Sequence, residues 1–201
     1  MHKYFLTVIL SFSFTFLISC QEPSAQRLGL SRNNLSSFSG ISMTIPYRIE
    51  IGKALSRDEK IEVHNLIDAV FFEIDTIYNK WNPDSELSAL NNLKAYQKKT
   101  ISPKLANFLK RCDFFVQLSC GKFDPTIEPI QQLWKKQLEK NTTPTKVDIE
   151  ELRQSIGWQN IVVENGTFYK KHNLTAIDLG GCVKGHAVDL SIERLKAKGD
   201  E

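Results

Sequence analysis

Asp178-Leu179-Gly180-Gly181-Cys182-Val183-Lys184 puts a carboxylate, two adjacent glycines and a lysine in one short run. Leu174, Ala176 and Ile177 before it read as an apolar strand, and a helical pattern begins after it. Adjacent glycines let the backbone approach a ligand closely. The N–H groups at a helix start, on the positive end of its dipole, suit a phosphate. Lys184 adds a mobile positive charge, and Asp178 can bond a ligand or orient the turn. This is the chemistry of a nucleotide phosphate site, and the same residues also fit a turn that serves only close packing. No Ser/His/Asp or Cys/His set emerges for nucleophilic catalysis: nothing pairs with His186 as a base, and His64 and His172 read as surface residues.

The elements that must position this run are legible from spacing. Residues 41–52 alternate as a strand with Tyr47, Ile49 and Ile51 on one face. Ser56 and Glu59 form a capping box. Behind it Ile61, Leu66, Ile67, Val70, Phe71, Ile74, Ile77 and Tyr78 predict a long amphipathic helix. Residues 85–91 read as a short helix or turn after the Trp81 loop, with Glu86 and Ser88 as local caps. Ser102 and Pro103 start a second long helix. Its inner stripe is Leu105, Phe108, Leu109, Cys112, Phe115 and Val116, and Gly121 suits its end. Helices are predicted over 130–138 and 148–156, a hairpin around Asn165-Gly166, and a last helix over 182–198 stopped by Gly199. The fold class is α+β: long amphipathic helices packed on a mostly antiparallel sheet.

Residues 1–19 carry a short positive start and an apolar stretch ending Leu17-Ile18-Ser19-Cys20, which reads as an export signal. The ending resembles a bacterial lipobox, which makes Cys20 a lipid attachment point; an ordinary signal peptide with an incidental Cys is the alternative. Residues 20–39 are polar and read as a tether holding the domain, 40–201, off a membrane. The implied location is the bacterial cell envelope, lipid-anchored, with the domain on the periplasmic or outer face. Beyond Cys20, Cys112, Cys120 and Cys182 form no C-x-x-C pair or disulfide framework. A net charge of +3, scattered along the chain, argues against a nucleic-acid partner.

Four separated segments then point together. They are Gly40 to Tyr47, Trp81 to Asn91, Gly121 to Ile130 with Trp134, and Asp178 to Asp189. In this order, behind a lipobox, the chain resembles the ApbE-type flavin transferases, the FAD:protein FMN transferases. The resemblance implies an enzyme that takes FAD and magnesium, transfers FMN to a threonine of a target redox protein, and releases AMP. The implied partners are that acceptor, a membrane redox-pump subunit or related flavoprotein, and the membrane through the lipid. By the same resemblance Met43 packs near the flavin and Trp81 lies by the isoalloxazine ring. Lys122, Phe123 and Asp124 hold the flavin end, Asp178 and Lys184 contact the ligand, and the Gly181 carbonyl is a magnesium ligand.

The bland readings of these residues stay beside the resemblance. Met43 also fits core filling, Trp81 a packed aromatic, and Asp124-Pro125-Thr126 a simple turn. Thr44 stands where the family usually has glycine, and Cys182 and His186 replace commoner apolar or aromatic neighbours. The family pattern continues past residue 201, where the remaining magnesium ligands and a catalytic acidic residue are expected. The chain is therefore expected to carry the N-terminal portion of the transferase domain, with some sheet edge and core uncovered and little transfer alone. The alternatives are an FAD-binding lipoprotein without transfer activity, or a partner-binding lipoprotein remnant.

Overall fold

The computed structural model describes residues 35–199, so the predicted signal segment, Cys20 and most of the tether lie outside the described residues. The first element is a hairpin and not a single strand: β1 (Ser36–Ser42) pairs antiparallel with β2 (Ile45–Ile51). The chain reverses at Met43 and Thr44, both at positive φ (51° and 64°). A two-residue turn with both central residues left-handed matches the twist of the flanking strands. Without glycine or asparagine there, the turn carried no sequence signal. β1 begins at Ser36, inside the stretch read as polar, where alternating Ser and Phe pair with β2. The face predicted for β2 is correct, with Ile51 buried and Tyr47 and Ile49 half-buried.

α1 (Arg57–Tyr78) starts at the Ser56 capping box: the Glu59 N–H donates to the Ser56 hydroxyl and the Ser56 N–H to the Glu59 carboxylate. Val63, Ile67, Val70, Ile74 and Tyr78 are its buried stripe. The pattern read from sequence was one step off at the start, since Ile61 is exposed and Val63 takes its place. Each such fully buried side chain is worth about 1.5–3 kcal/mol. α2 (Glu86–Asn91) is capped by Ser85. Glu86 reaches further than its own helix, accepting from the N–H (2.5 Å) and hydroxyl (2.6 Å) of Ser102. That contact fixes the start of α3 (Pro103–Leu118), which buries Leu105, Phe108, Leu109, Cys112 and Val116 and leaves Phe115 exposed.

A short 3-10 turn over 125–127 leads into α4 (Glu128–Leu138), and α5 (Lys146–Leu152) follows its Thr145–Asp148 capping box. The helix predicted to 156 gives way to a 3-10 turn over 153–155. The chain's second sheet has strand order β3-β5-β4, all antiparallel, with β3 (Lys99–Thr100), β4 (Ile161–Glu164) and β5 (Thr167–Lys170). Asn165 and Gly166, both at positive φ, make the predicted hairpin turn. α6 (Val183–Lys198) ends at Gly199 in the left-handed region. It packs along α1, and Glu73 of α1 bonds Arg194 of α6 and Lys104 of α3.

The strand expected before Asp178 is absent. Residues 175–179 run irregularly, with no strand beside them among the described residues; the Asn91 side chain bonds there instead. Asn91 accepts from the Ile177 N–H (2.8 Å) and donates to the Ile177 carbonyl (2.9 Å), as a neighbouring strand would. Ile177 and Leu179 are thereby held in the main core with Leu87, Leu90, Leu105 and Phe168. A second core joins the first hairpin to α1 and α6 through Ile51, Leu55, Val63, Ile67 and Leu195. Around it Ile41, Val188 and Ile192 are exposed.

Candidate functional site

The loop after α1 is wired before any ligand is considered. Asp75, one turn from the helix end, accepts from the side-chain amides of Asn79 and Asn82, both at 2.7 Å. Asn79 accepts from the Trp81 N–H, and its carbonyl accepts from the Ser85 hydroxyl. The Lys80 carbonyl takes the Ser88 hydroxyl. With the backbone so tied, Lys80 points inward and Trp81 outward.

The Lys80 ammonium donates to the Asp178 carboxylate (3.0 Å), the Gln131 side-chain oxygen (3.0 Å) and the Glu128 carboxylate. The side chains of Lys80, Glu128 and Asp178 are only 9–14% exposed. Two carboxylates thus share one ammonium, which joins the loop, α4 and the glycine run. Asp178 is fixed at its own backbone as well, its N–H donating to the Pro125 carbonyl at 2.7 Å. Its other oxygen accepts from the Gly180 N–H at 2.7 Å. A Cβ on Gly180 would lie 3.0 Å from that oxygen, tighter than an ordinary contact, so the carboxylate would have to draw back slightly for any other residue.

Above this cluster lies a cavity of about 620 Å³, and its walls include Met43, Trp81, Asp178 and Lys184. Its size falls in the range of small-molecule clefts. The Trp81 ring is two-thirds exposed, with the Lys80 ammonium 4.7 Å and the Lys135 ammonium 5.4 Å from its centre. Cations near an indole face draw on its negative quadrupole and leave the rest of the ring open for stacking. Lys184, in the first turn of α6, is exposed at the edge. The Met43–Thr44 turn closes the far side.

Four of the seven residues assigned to the flavin therefore meet on one cavity; Lys122, Phe123 and Asp124 do not. Phe123 packs against the main core and lies 3.8 Å from where a Gly181 Cβ would be. Asp124 caps the following turn, accepting from the N–H (2.8 Å) and hydroxyl (2.7 Å) of Thr126. Lys122 is exposed and does not line the cavity. The segment serves this site instead through the Pro125 carbonyl that holds Asp178 and the Glu128 carboxylate on Lys80. Gly181 is exposed on the glycine turn, and no group of three or more His, Cys, Asp or Glu side chains suited to a metal ion occurs among the described residues.

Lys80, Glu128 and Gln131 were missed from sequence. Lys80 sits 48 positions from Glu128 and 98 from Asp178, and no local pattern links them. Its position directly before Trp81 was the only available signal. His186, read as structural, packs its ring on Phe108 and Tyr78, with its Nδ1 buried and without a hydrogen-bond partner. Burial, with Arg111 nearby, holds its pKa below the usual histidine value.

A model of the ApbE family matches residues 42–201. The FAD:protein FMN transferase of Chlamydia pneumoniae is 42% identical over 156 residues, covering 77% of this chain and 50% of that protein. That of Chlamydia muridarum is 37% identical over 180 residues, covering 88% and 54%. The apo crystal structure of the Pseudomonas stutzeri flavinyl transferase ApbE superposes with a TM-score of 0.73 at 23% identity. That superposition covers 82% of this chain and 53% of the other. The chain spans about half the length of the curated relatives it matches.

Proposed function

The chain belongs to the ApbE family, and we propose that it carries the flavin-donor site of an FAD:protein FMN transferase. The observation that supports this reading best is the cavity where Met43, Trp81, Asp178 and Lys184 converge over a fixed ionic floor. FAD needs an aromatic face for its ring system and positive charge for its pyrophosphate, and Trp81 and Lys184 supply one each. Met43 fills the apolar side opposite the ring.

In the proposed reaction a threonine hydroxyl of an acceptor protein attacks the FMN phosphorus of FAD. The new P–O bond forms as the bond to the AMP phosphate breaks, the hydroxyl proton passes to solvent base, and AMP leaves. Lys184 and the start of the α6 dipole offset the negative charge on the pyrophosphate. Asp178, held by Lys80, Gly180 and Pro125, sets the shape of the turn against which the phosphates lie. For the magnesium implied by the family, no group of three or more His, Cys, Asp or Glu side chains suited to a metal ion joins the Gly181 carbonyl among the described residues, so no step runs through it. The lipid anchor at Cys20 and the cell-envelope location belong to this proposal too. No helix among the described residues is long and apolar enough to cross a membrane.

The test is an FAD titration of the purified chain, following flavin fluorescence and tryptophan emission, with and without magnesium. Saturable quenching that weakens in Trp81→Ala and Lys184→Ala supports the site. A folded chain that ignores FAD overturns it. Binding without labelling of an acceptor threonine leaves a flavin-binding protein and removes the transfer step.

A further inference from the structure

Cys112 and Cys182 meet where α3 passes the glycine turn. Their sulfurs are 4.0 Å apart, although the residues are 70 positions apart in sequence. Cys112 is buried, Cys182 half-buried, and both are free thiols. A disulfide needs its sulfurs about 2.05 Å apart. The remaining gap of about 2 Å lies within reach of side-chain rotation with a small shift of the turn.

The Cys182 side chain is lightly held. Cys182 follows Gly180 and Gly181, and nothing but the Phe123 ring edge lies near the missing Gly181 side chain. Cys182 occupies the cap position of α6 without making a side-chain cap bond, and its thiol donates only to the Leu179 carbonyl at 3.3 Å. We propose that Cys112 and Cys182 are a reversible disulfide site, which on meeting an external small-molecule or protein disulfide ties the glycine turn beside Asp178 to α3.

The Cys182 thiolate attacks the external disulfide, whose S–S bond breaks and releases one thiol. The Cys112 sulfur then attacks Cys182 in the mixed disulfide and releases the second. Two cysteine thiols are oxidised, one external disulfide is reduced, and the two protons leave with the departing thiols. The order follows from exposure, since only Cys182 is open to an outside reagent. The exposed Cys120 provides an internal control. The inference rests on the two thiols alone, so it stands or falls separately from the flavin reading.

The experiment equilibrates the chain carrying Cys20→Ser and Cys120→Ser with oxidised glutathione, quenches it in acid, alkylates it and maps the peptides. The expected product is a Cys112–Cys182 linked peptide, lost on adding dithiothreitol, with an unfolding midpoint raised by about 5–10 °C in the oxidised form. Mapping the unaltered chain after the same treatment is the second arm, where the same linkage is expected in preference to any involving Cys120. Two alkylated thiols, a glutathione adduct stable on Cys182, or linkages through Cys120 in the unaltered chain would each overturn the proposal.

Discussion

The floor and the rim of the cavity are built in opposite ways. On the floor, Lys80, Glu128 and Asp178 satisfy one another and are largely shielded from water. On the rim, Trp81 and Lys184 are exposed, and Met43 sits on a turn of two left-handed residues. Charges placed inside a protein are costly unless paired, so the floor is complete with or without a ligand. An exposed indole beside two ammonium groups gains little from the protein alone. The division assigns stability to the floor and recognition to the rim.

Removing Lys80 is the strongest way to break that division. Lys80→Ala leaves the Glu128 and Asp178 carboxylates facing each other without their shared cation. Breaking a buried pair from one side costs about 3–5 kcal/mol, and the slight exposure here puts the expected loss near 3 kcal/mol. Urea unfolding at neutral pH measures it. A loss below about 1 kcal/mol would mean that water already screens the floor, and its fixed geometry would no longer explain the position of Asp178.

Trp81→Ala tests the other half. With the ring two-thirds exposed, stability should change by no more than about 0.5 kcal/mol. FAD affinity should fall by about two- to tenfold, since an aromatic stacking partner is worth about 0.5–1.5 kcal/mol. Unchanged affinity together with unchanged stability would move the flavin ring off this rim. Lys184→Ala should weaken FAD by a smaller, salt-dependent factor of about two to five, because its charge works in the presence of water.

What was legible in the sequence divides along the same line. The caps at Ser56 and Ser102 and the hairpin turn at Asn165-Gly166 were readable because each uses groups a few residues apart, while the cap of α2 is Ser85 and not Glu86 or Ser88. Of the rim, Met43 and Trp81 came only from the likeness of whole segments to a family, whereas Lys184 was legible as the positive charge after the two glycines. Of the floor only Asp178 was readable, from its place before the two glycines; its partners were not. A lysine in a loop looks the same whether it faces water or two carboxylates, and only the folded chain brings Lys80 to Asp178. Asn91 standing in for a strand beside Ile177 was hidden for the same reason. The Met43–Thr44 turn was missed for lack of the residues that left-handed turns prefer.

His186 gives the comparison a pH axis, because it lies on α6 below the rim, against Tyr78 and Phe108. Burial lowers its pKa in the folded state from the ordinary 6.5, with Arg111 adding to the effect. As pH falls through 6.5 the unfolded chain takes up the proton first, so the folded state loses stability on the acid side. The loss levels off once pH passes below the folded-state pKa. Replacing His186 with Phe should flatten this part of the stability curve between pH 7 and the folded-state pKa, as seen in unfolding midpoints across pH. A slope that survives the substitution would assign the acid sensitivity to other groups.

The smallest expected effect sharpens the rim most finely. Thr44 is β-branched and sits at φ 64°, a region that costs an L-residue about 1–2 kcal/mol. Its hydroxyl recovers part of this by donating to the Met43 carbonyl at 2.6 Å. Thr44→Gly removes the strain, loses that exposed hydrogen bond, and adds about 0.5–1 kcal/mol of unfolded-chain entropy. The expected balance is a gain of about 0.5 kcal/mol in denaturant unfolding. If the turn only shapes the cavity, FAD affinity should stay level while stability rises. A fall in affinity with the same gain in stability would show that the strained turn itself holds Met43 against the flavin, and that the rim stores part of its recognition in backbone conformation.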